Sequence, residues 1–137
     1  MFLIKSFTFS PIQENTYLLY TESGDCIIID PGCYYDHEKE TLAAFIRDEK
    51  LKPVLLLNTH CHLDHIFGNK FVAETYGLTL KFHPKDRPVF DYAPAAGLMW
   101  QLPFDNYTGE IEYIREGEKL IVGTDELEIL HVPGHSP

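Results

Sequence analysis

No apolar run in this 137-residue chain approaches the length of a membrane span. Its first residues, Met1-Phe2-Leu3-Ile4-Lys5, lack the charged n-region and long apolar stretch of a secretory signal, so a cytoplasmic location is expected. Positive charge is scarce. Eleven Lys and Arg stand against 21 Asp and Glu, a formal net charge of −10. That balance argues against nucleic acid or an anionic membrane as a partner. Cysteine is scarce too: Cys26, Cys33 and Cys61 form neither an even framework nor a C-x-x-C pair. There are no repeats and no low-complexity stretches. The 45% apolar content is ordinary for a globular core, so the chain is one domain or part of one.

What is present reads as alternating strands and helices. Residues 2–9, 15–21 and 26–30 have strand character, with a turn at Glu22-Ser23-Gly24-Asp25, and predict an antiparallel start. Asp36 is a candidate N-cap, with Glu38 and Glu40 suited to a first helical turn. Leu42, Phe45, Ile46 and Glu49 then space as a helix with an apolar stripe. Residues 53–58 follow as a strand with the apolar character of one buried on both faces, and strand–helix–strand favours a parallel crossover. A second helix runs from Phe67 to its stop at Gly77, and residues 78–82 form a short strand. Between 84 and 108 the chain is rich in proline and aromatics, with a helical patch near 95–102. Trp100 there could form a lid or pack on the core. Late strands are expected at 111–115, 119–122 and 126–132. The fold class is α/β: a mixed sheet with helices on one face and an apolar second face awaiting a second sheet.

Three imidazoles and a carboxylate crowd into Thr59-His60-Cys61-His62-Leu63-Asp64-His65, where the buried strand reaches the rim of the sheet. Neutral imidazole and carboxylate are good ligands for zinc, iron or manganese. His60 and His62 would diverge on a helix. In extended chain they share a face and can reach one ion. Asp64 continues that face, and a turn at Leu63 would give Asp64 and His65 a second target. Cys61 alternates away from its neighbours, so it is no ligand; Cys26 alternates into the core. At the far end an apolar-rich strand pattern runs into the Pro133-Gly134 turn, and His135 follows as the expected third ligand of the His60/His62 ion. His131, alternating with Leu130 and Val132, is assigned to the opposite face. His83 reads as a helix-entry or surface residue, and His37 as a solvated one at a helix start.

His60-Cys61-His62-Leu63-Asp64-His65, Gly134-His135 and the early Ile28-Ile29-Asp30-Pro31-Gly32 together resemble the metallo-beta-lactamase-fold hydrolases, in their glyoxalase II-like (hydroxyacylglutathione hydrolase-like) branch. The resemblance runs along the whole chain, 1–137. It implies an αβ/βα sandwich of which this chain supplies mainly the first αβ half. The family's bridging aspartate and last histidine follow the Gly-His loop and are missing here, so a fragment of a longer hydrolase is expected. An uncovered apolar face would then favour a homodimer or pairing with the remaining half. Such patches seldom exceed roughly 300–600 Å² on a soluble monomer.

A zinc-type ion lowers the pKa of its bound water from 15.7 to roughly 7 and so supplies hydroxide at neutral pH. His60, His62 and His135 are the expected ligands of a first ion. Asp64 and His65 would hold a second, with Asp64 also orienting the attacking water. Asp30 either fixes the tautomer of a ligand histidine or simply ends its strand in a turn. The resemblance implies a small-molecule thioester of the hydroxyacyl-glutathione kind as substrate. The residues themselves do not select it over a lactam, lactone or phosphodiester. Two other readings stay open: a flavodiiron-like redox protein using iron at the same ligands, and a non-catalytic metal-binding module.

Overall fold

The strand periodicity of the first thirty residues sets the inner surface on which the rest is built. In the computed structural model, residues 2–122 and 125–128 are described. β1 (Leu3–Phe9) pairs antiparallel with β2 (Glu14–Tyr20), from Leu3 opposite Tyr20 to Phe9 opposite Glu14. The turn between them bends through left-handed backbone at Ser10 and Gln13, closed by Gln13 N–H on Ser10 O at 3.1 Å. Burial alternates along β2, so Glu14, Thr16 and Leu18 all point inward. Two of those three are polar, and they end up beneath the candidate site.

β3 (Asp25–Ile29) is antiparallel to β2. α1 (Asp36–Asp48) then crosses to β4 (Lys52–Leu57), which runs parallel to β3. β5 (Leu80–Phe82) and β6 (Ile111–Tyr113) extend the sheet in parallel, in the order β1-β2-β3-β4-β5-β6. The expected mixed sheet, antiparallel at one edge and parallel beyond, is the one observed. Its successive residues divide two cores. Cys26, Ile28, Leu56, Leu80 and Phe82 meet Leu42 and Ile46 of α1, and Val72 and Phe90 of later helices. Ile27 and Leu57 face the other way, against Val122 of β7 (Lys119–Val122), which pairs with β8 (Asp125–Glu128) as a separate ribbon. Each fully buried Leu or Ile contributes about 1.5–3 kcal/mol. On the second face Leu19, Ile29, Val54 and Leu55 are only partly buried, so β4 is closed on both sides only at its carboxyl end, Leu56 and Leu57.

Two expectations shift. Asp36 is not the cap of α1 but its first residue; Tyr35 occupies the cap position in extended backbone. The reason is Glu38, whose Oε1 accepts from Tyr34 N at 2.9 Å and Tyr35 N at 3.1 Å, while Oε2 accepts from Ser10 N at 2.7 Å. One buried carboxylate thus satisfies the helix entrance and ties it to the first hairpin. The second shift concerns α4, which spans Arg87–Met99 rather than starting near 95. Pro88 is tolerated in the first turn, but Pro94 removes an interior N–H, and that hides the helix from pattern reading. At its end Leu98, Met99 and Trp100 are exposed, so Trp100 is not a core residue. α3 (Asn69–Tyr76) stops at Gly77 in left-handed backbone, as expected. β8 begins one residue before the expected strand. The expected continuation to residue 132, like His131 and His135, lies outside the described residues. Among the described residues no helix is long and apolar enough to cross a membrane.

Glu38→Ala would leave three backbone donors without their acceptor. We expect it to lower the unfolding free energy by about 2–4 kcal/mol, with an unchanged denaturant slope, in equilibrium urea unfolding. A loss under 1 kcal/mol would show that water replaces Glu38 at no cost.

Candidate metal centre

The site forms where β3 and β4 end side by side. Asp30 closes β3 with its N–H on Leu57 O at 2.9 Å and its backbone in the left-handed region, φ +53°. That conformation is uncommon for a residue with a side chain, though Asp tolerates it better than most. It aims the carboxylate at the loop after β4. Asp30 Oδ1 accepts from Thr59 N at 2.7 Å, and Oδ2 accepts from Thr59 Oγ1 at 2.5 Å. Next, α2 (Leu63–Ile66) makes a single turn, with His62 in extended backbone before it and His65 N–H on His62 O at 2.9 Å. The turn expected at Leu63 is this helix. It swings His65 back, so that its ring centroid lies 3.8 Å from that of His60; the His60 and His62 rings are 5.1 Å apart.

Hydrogen-bond inventory fixes the His60 tautomer. The Thr59 hydroxyl has one proton and gives it to Asp30 Oδ2, which can only accept. Its 3.1 Å contact with His60 Nδ1 therefore requires the proton on Nδ1, and Nε2 carries the lone pair. His65 Nδ1 lies 3.1 Å from Asp30 Oδ2, close but off the ideal hydrogen-bond line, and 3.7 Å from Glu14 Oε1. Its Nε2 faces Asp64 Oδ2 at 3.5 Å. Both rings are thus anchored through Nδ1, one through Thr59 and one directly. Asp30, His60 and His65 each offer a ligand atom within 4.8 Å of one another. Asp30, already accepting from Thr59 twice, stands behind the histidines.

The base of the loop is stapled. Asn58 Nδ2 donates to Asn69 Oδ1 at 3.1 Å, and Asn69 Nδ2 returns a bond to Asn58 Oδ1 at 2.8 Å, both side chains buried. Gly68 N–H reaches Pro31 O at 2.7 Å, and a Cβ on Gly68 would meet Cys33 Sγ at 2.4 Å. A Cβ on Gly32 would lie 2.2 Å from Glu14 Oε2 and 2.4 Å from Asp64 O. The two loops touch only because both positions lack side chains. Cys61 is fully buried, and burial pushes its thiol well above the usual range, against any thiolate role.

Glu14 and Thr16 are the functional neighbours that sequence reasoning missed. Burial, then the charge of Asp30, with smaller contributions from Asp64 and Glu38, push the Glu14 carboxyl up to about 9; a hydrogen bond with Thr16 opposes them. His65 is also raised. Burial pulls it down, but the contact with Asp30 and the charges of Asp30 and Asp64 outweigh that. Carboxylates crowding imidazole nitrogens make an environment that favours a cation. The donor set fits a divalent ion with nitrogen and oxygen preference, such as zinc, iron or manganese. Of the loop donors, His60 and His65 come close enough, with Asp30, to share it. A separate cavity of about 450 Å³ is walled by Tyr34, Phe67, Phe71 and Phe104. Its Lys39 and Lys70 are matched by Glu74 and Asp105, so it has no net charge preference.

An α/β sheet with a histidine-rich loop at the carboxyl end of a central strand defines a metal-binding class of fold. The family model described as Metallo-beta-lactamase superfamily matches residues 10–137, and the chain belongs to that superfamily. It is 32% identical over 127 residues to hydroxyacylglutathione hydrolase GloC of Haemophilus influenzae, covering 91% of this chain and 58% of the relative. It is 30% identical over 128 residues to the probable metallo-hydrolase YqgX of Bacillus subtilis, covering 93% and 58%. Among solved structures, BLEG-1 B3 metallo-beta-lactamase superposes with a TM-score of 0.84 at 30% identity, over 98% of this chain and 64% of that one. TTHA1623 in a di-iron-bound form superposes with a TM-score of 0.83 at 34% identity, over 97% and 63%. The chain spans 58% of the length of each of these two curated relatives.

Because Glu14 rises from 4.5 to about 9, the folded state holds its proton more tightly than the unfolded state. Its contribution to stability is full below pH 4.5 and is lost as pH rises towards 9. Glu14→Gln removes that dependence. In chelator-treated protein the melting temperature of the variant, relative to wild type, should climb steadily from pH 5 to pH 9. A pH-independent difference would show that Glu14 titrates normally.

Proposed function

We propose that this chain carries the metal-binding loop of a metal-dependent hydrolase that acts on a thioester of the hydroxyacyl-glutathione kind. The observation that carries the reading is the four-donor loop, His60, His62, Asp64 and His65, held by Asp30 at the end of β4 in a metallo-beta-lactamase sheet. The likeness to GloC supports the thioester. His60 and His62, with His135, are assigned to one ion, and Asp64 with His65 to a second. A divalent ion at such a site acidifies water and polarises an acyl carbonyl.

The chain's own residues supply the rest. Asp30 and Thr59 keep the His60 imidazole with Nδ1 protonated, so that its Nε2 is the ligating atom, and Asp30 lies 3.1 Å from His65 Nδ1. Asp64, about one-fifth exposed beside His65 Nε2, is the group that would accept a hydrogen bond from the attacking water and so orient it. The half-buried loop leaves this edge open to a small molecule. The di-iron form of TTHA1623 lends slight support to the redox reading, and the likeness to GloC and YqgX keeps hydrolysis ahead of it.

In the metal-loaded full-length protein, a hydroxyacyl-glutathione thioester should be hydrolysed in preference to nitrocefin. Asp64→Ala should lower kcat/KM by about 100-fold or more. His60→Ala and His62→Ala should each lose bound metal by elemental analysis. Turnover of nitrocefin without the thioester would replace the substrate class, and full activity in Asp64→Ala would remove Asp64 from the chemistry.

A further inference from the structure

Thr16 lies on the inward row of β2 and is fully buried. Its hydroxyl has one proton and two lone pairs. Asp30 O, which can only accept, lies 2.8 Å away and takes the proton. Gly32 N–H donates to the same oxygen at 3.0 Å. The hydroxyl also lies 3.1 Å from Glu14 Oε2. One side chain therefore bridges both ends of the Asp30-Pro31-Gly32 turn. That turn needs an outside clamp, because Asp30 is in left-handed backbone and Pro31 has no N–H to contribute. Asp30 is also the residue whose carboxylate holds Thr59 and, beyond it, the two imidazoles.

We propose that Thr16 is a positioning residue for the metal loop. By fixing the backbone on both sides of Pro31, its hydroxyl fixes where the Asp30 carboxylate meets Thr59 and His65, and so how well the imidazoles ligate a divalent ion. This rests on the metal-dependent reading above. Thr16 touches neither substrate nor ion; it acts through Asp30. Its place two residues along β2 from Glu14 gives that strand a part in the site, although the loop itself lies beyond β4.

The test compares Thr16→Val, which keeps the shape and removes the hydroxyl, with Thr16→Ser, which keeps the hydroxyl. Cobalt(II) affinity and the visible d–d spectrum of the full-length protein are the readouts, beside the melting temperature of the metal-free form. The valine variant should bind cobalt about 10–100-fold more weakly with an altered spectrum, in line with the loss of groups that orient metal ligands. The serine variant should restore affinity to within about three-fold of wild type and return the spectrum. If Thr16→Val fails to fold, Thr16→Ala asks the same question with the same expected loss. A hydroxyl-free variant that melts lower yet binds cobalt with wild-type affinity and spectrum would make Thr16 a packing residue only and overturn the inference. Wild-type protein that binds no cobalt at all would instead overturn the metal reading, and this inference with it.

Discussion

Asp30 is the residue on which the site's geometry depends. Left-handed backbone at a residue with a side chain costs on the order of 1–3 kcal/mol. Here that strain turns a strand-end carboxylate across to the neighbouring strand, where it accepts from Thr59 N and Thr59 Oγ1 at 2.7 and 2.5 Å. Hydrogen bonds to a charged group contribute roughly 1.5–3 kcal/mol each, enough to offset the strain. The return on that arrangement is orientation. One carboxylate orders the backbone entering the histidine loop, the tautomer of His60 through Thr59, and the ring of His65 by direct contact.

The surrounding structure can be understood as support for that one contact. Parallel pairing sets β3 and β4 in register, with Ile29 opposite Leu57, so their ends come level and Asp30 meets Thr59. The Asn58–Asn69 amide pair closes the loop at its base, and Gly68 against Pro31 O brings the end of α2 down on the Asp30 turn. Glu38 does the same work farther out, pinning the first hairpin to the start of α1. The Asn58–Asn69 pair and the Glu38 carboxylate find their partners through backbone as much as side chain.

Much of this was legible in the sequence because the signals are local. His60 to His65 pack four donors into six positions after an apolar strand, and no composition argument is needed to notice them. The order strand–helix–strand predicts the parallel crossover, and Gly77 ends α3 as read. Other parts are hidden for physical reasons. In α4, Pro94 breaks the helical pattern although the helix continues through it. Tyr35 caps α1 because Glu38 reaches back, a contact that a local preference for Asp at the cap position does not foresee. Glu14 and Thr16 look like the solvent side of a hairpin strand, since Tyr17 and Leu19 offer an equally apolar opposite face. Only the pairing of β2 with both β1 and β3, and the loop lying over its end, shows that these two polar side chains face inward.

Two neighbouring acids have separate tasks because their surroundings differ. Asp30 meets donors that match a charge: a backbone N–H, a hydroxyl and an imidazole. Glu14 meets the Thr16 hydroxyl, which is shared with Asp30 O and Gly32 N–H, so it draws little donation from it. Burial and the charge of Asp30 push its carboxyl up to about 9, and the contact with Thr16 opposes them only in part. Keeping Glu14 neutral leaves Asp30 and Asp64 as the charges facing the histidines. Those same charges raise His65 and would draw a divalent ion, so proton and ion compete for the same imidazole. A wholly neutral pocket would release the proton readily but attract the ion weakly, and a third charge would hold the proton more firmly. Two carboxylates in contact with the loop, with a third acid silenced beneath them, fall between those limits.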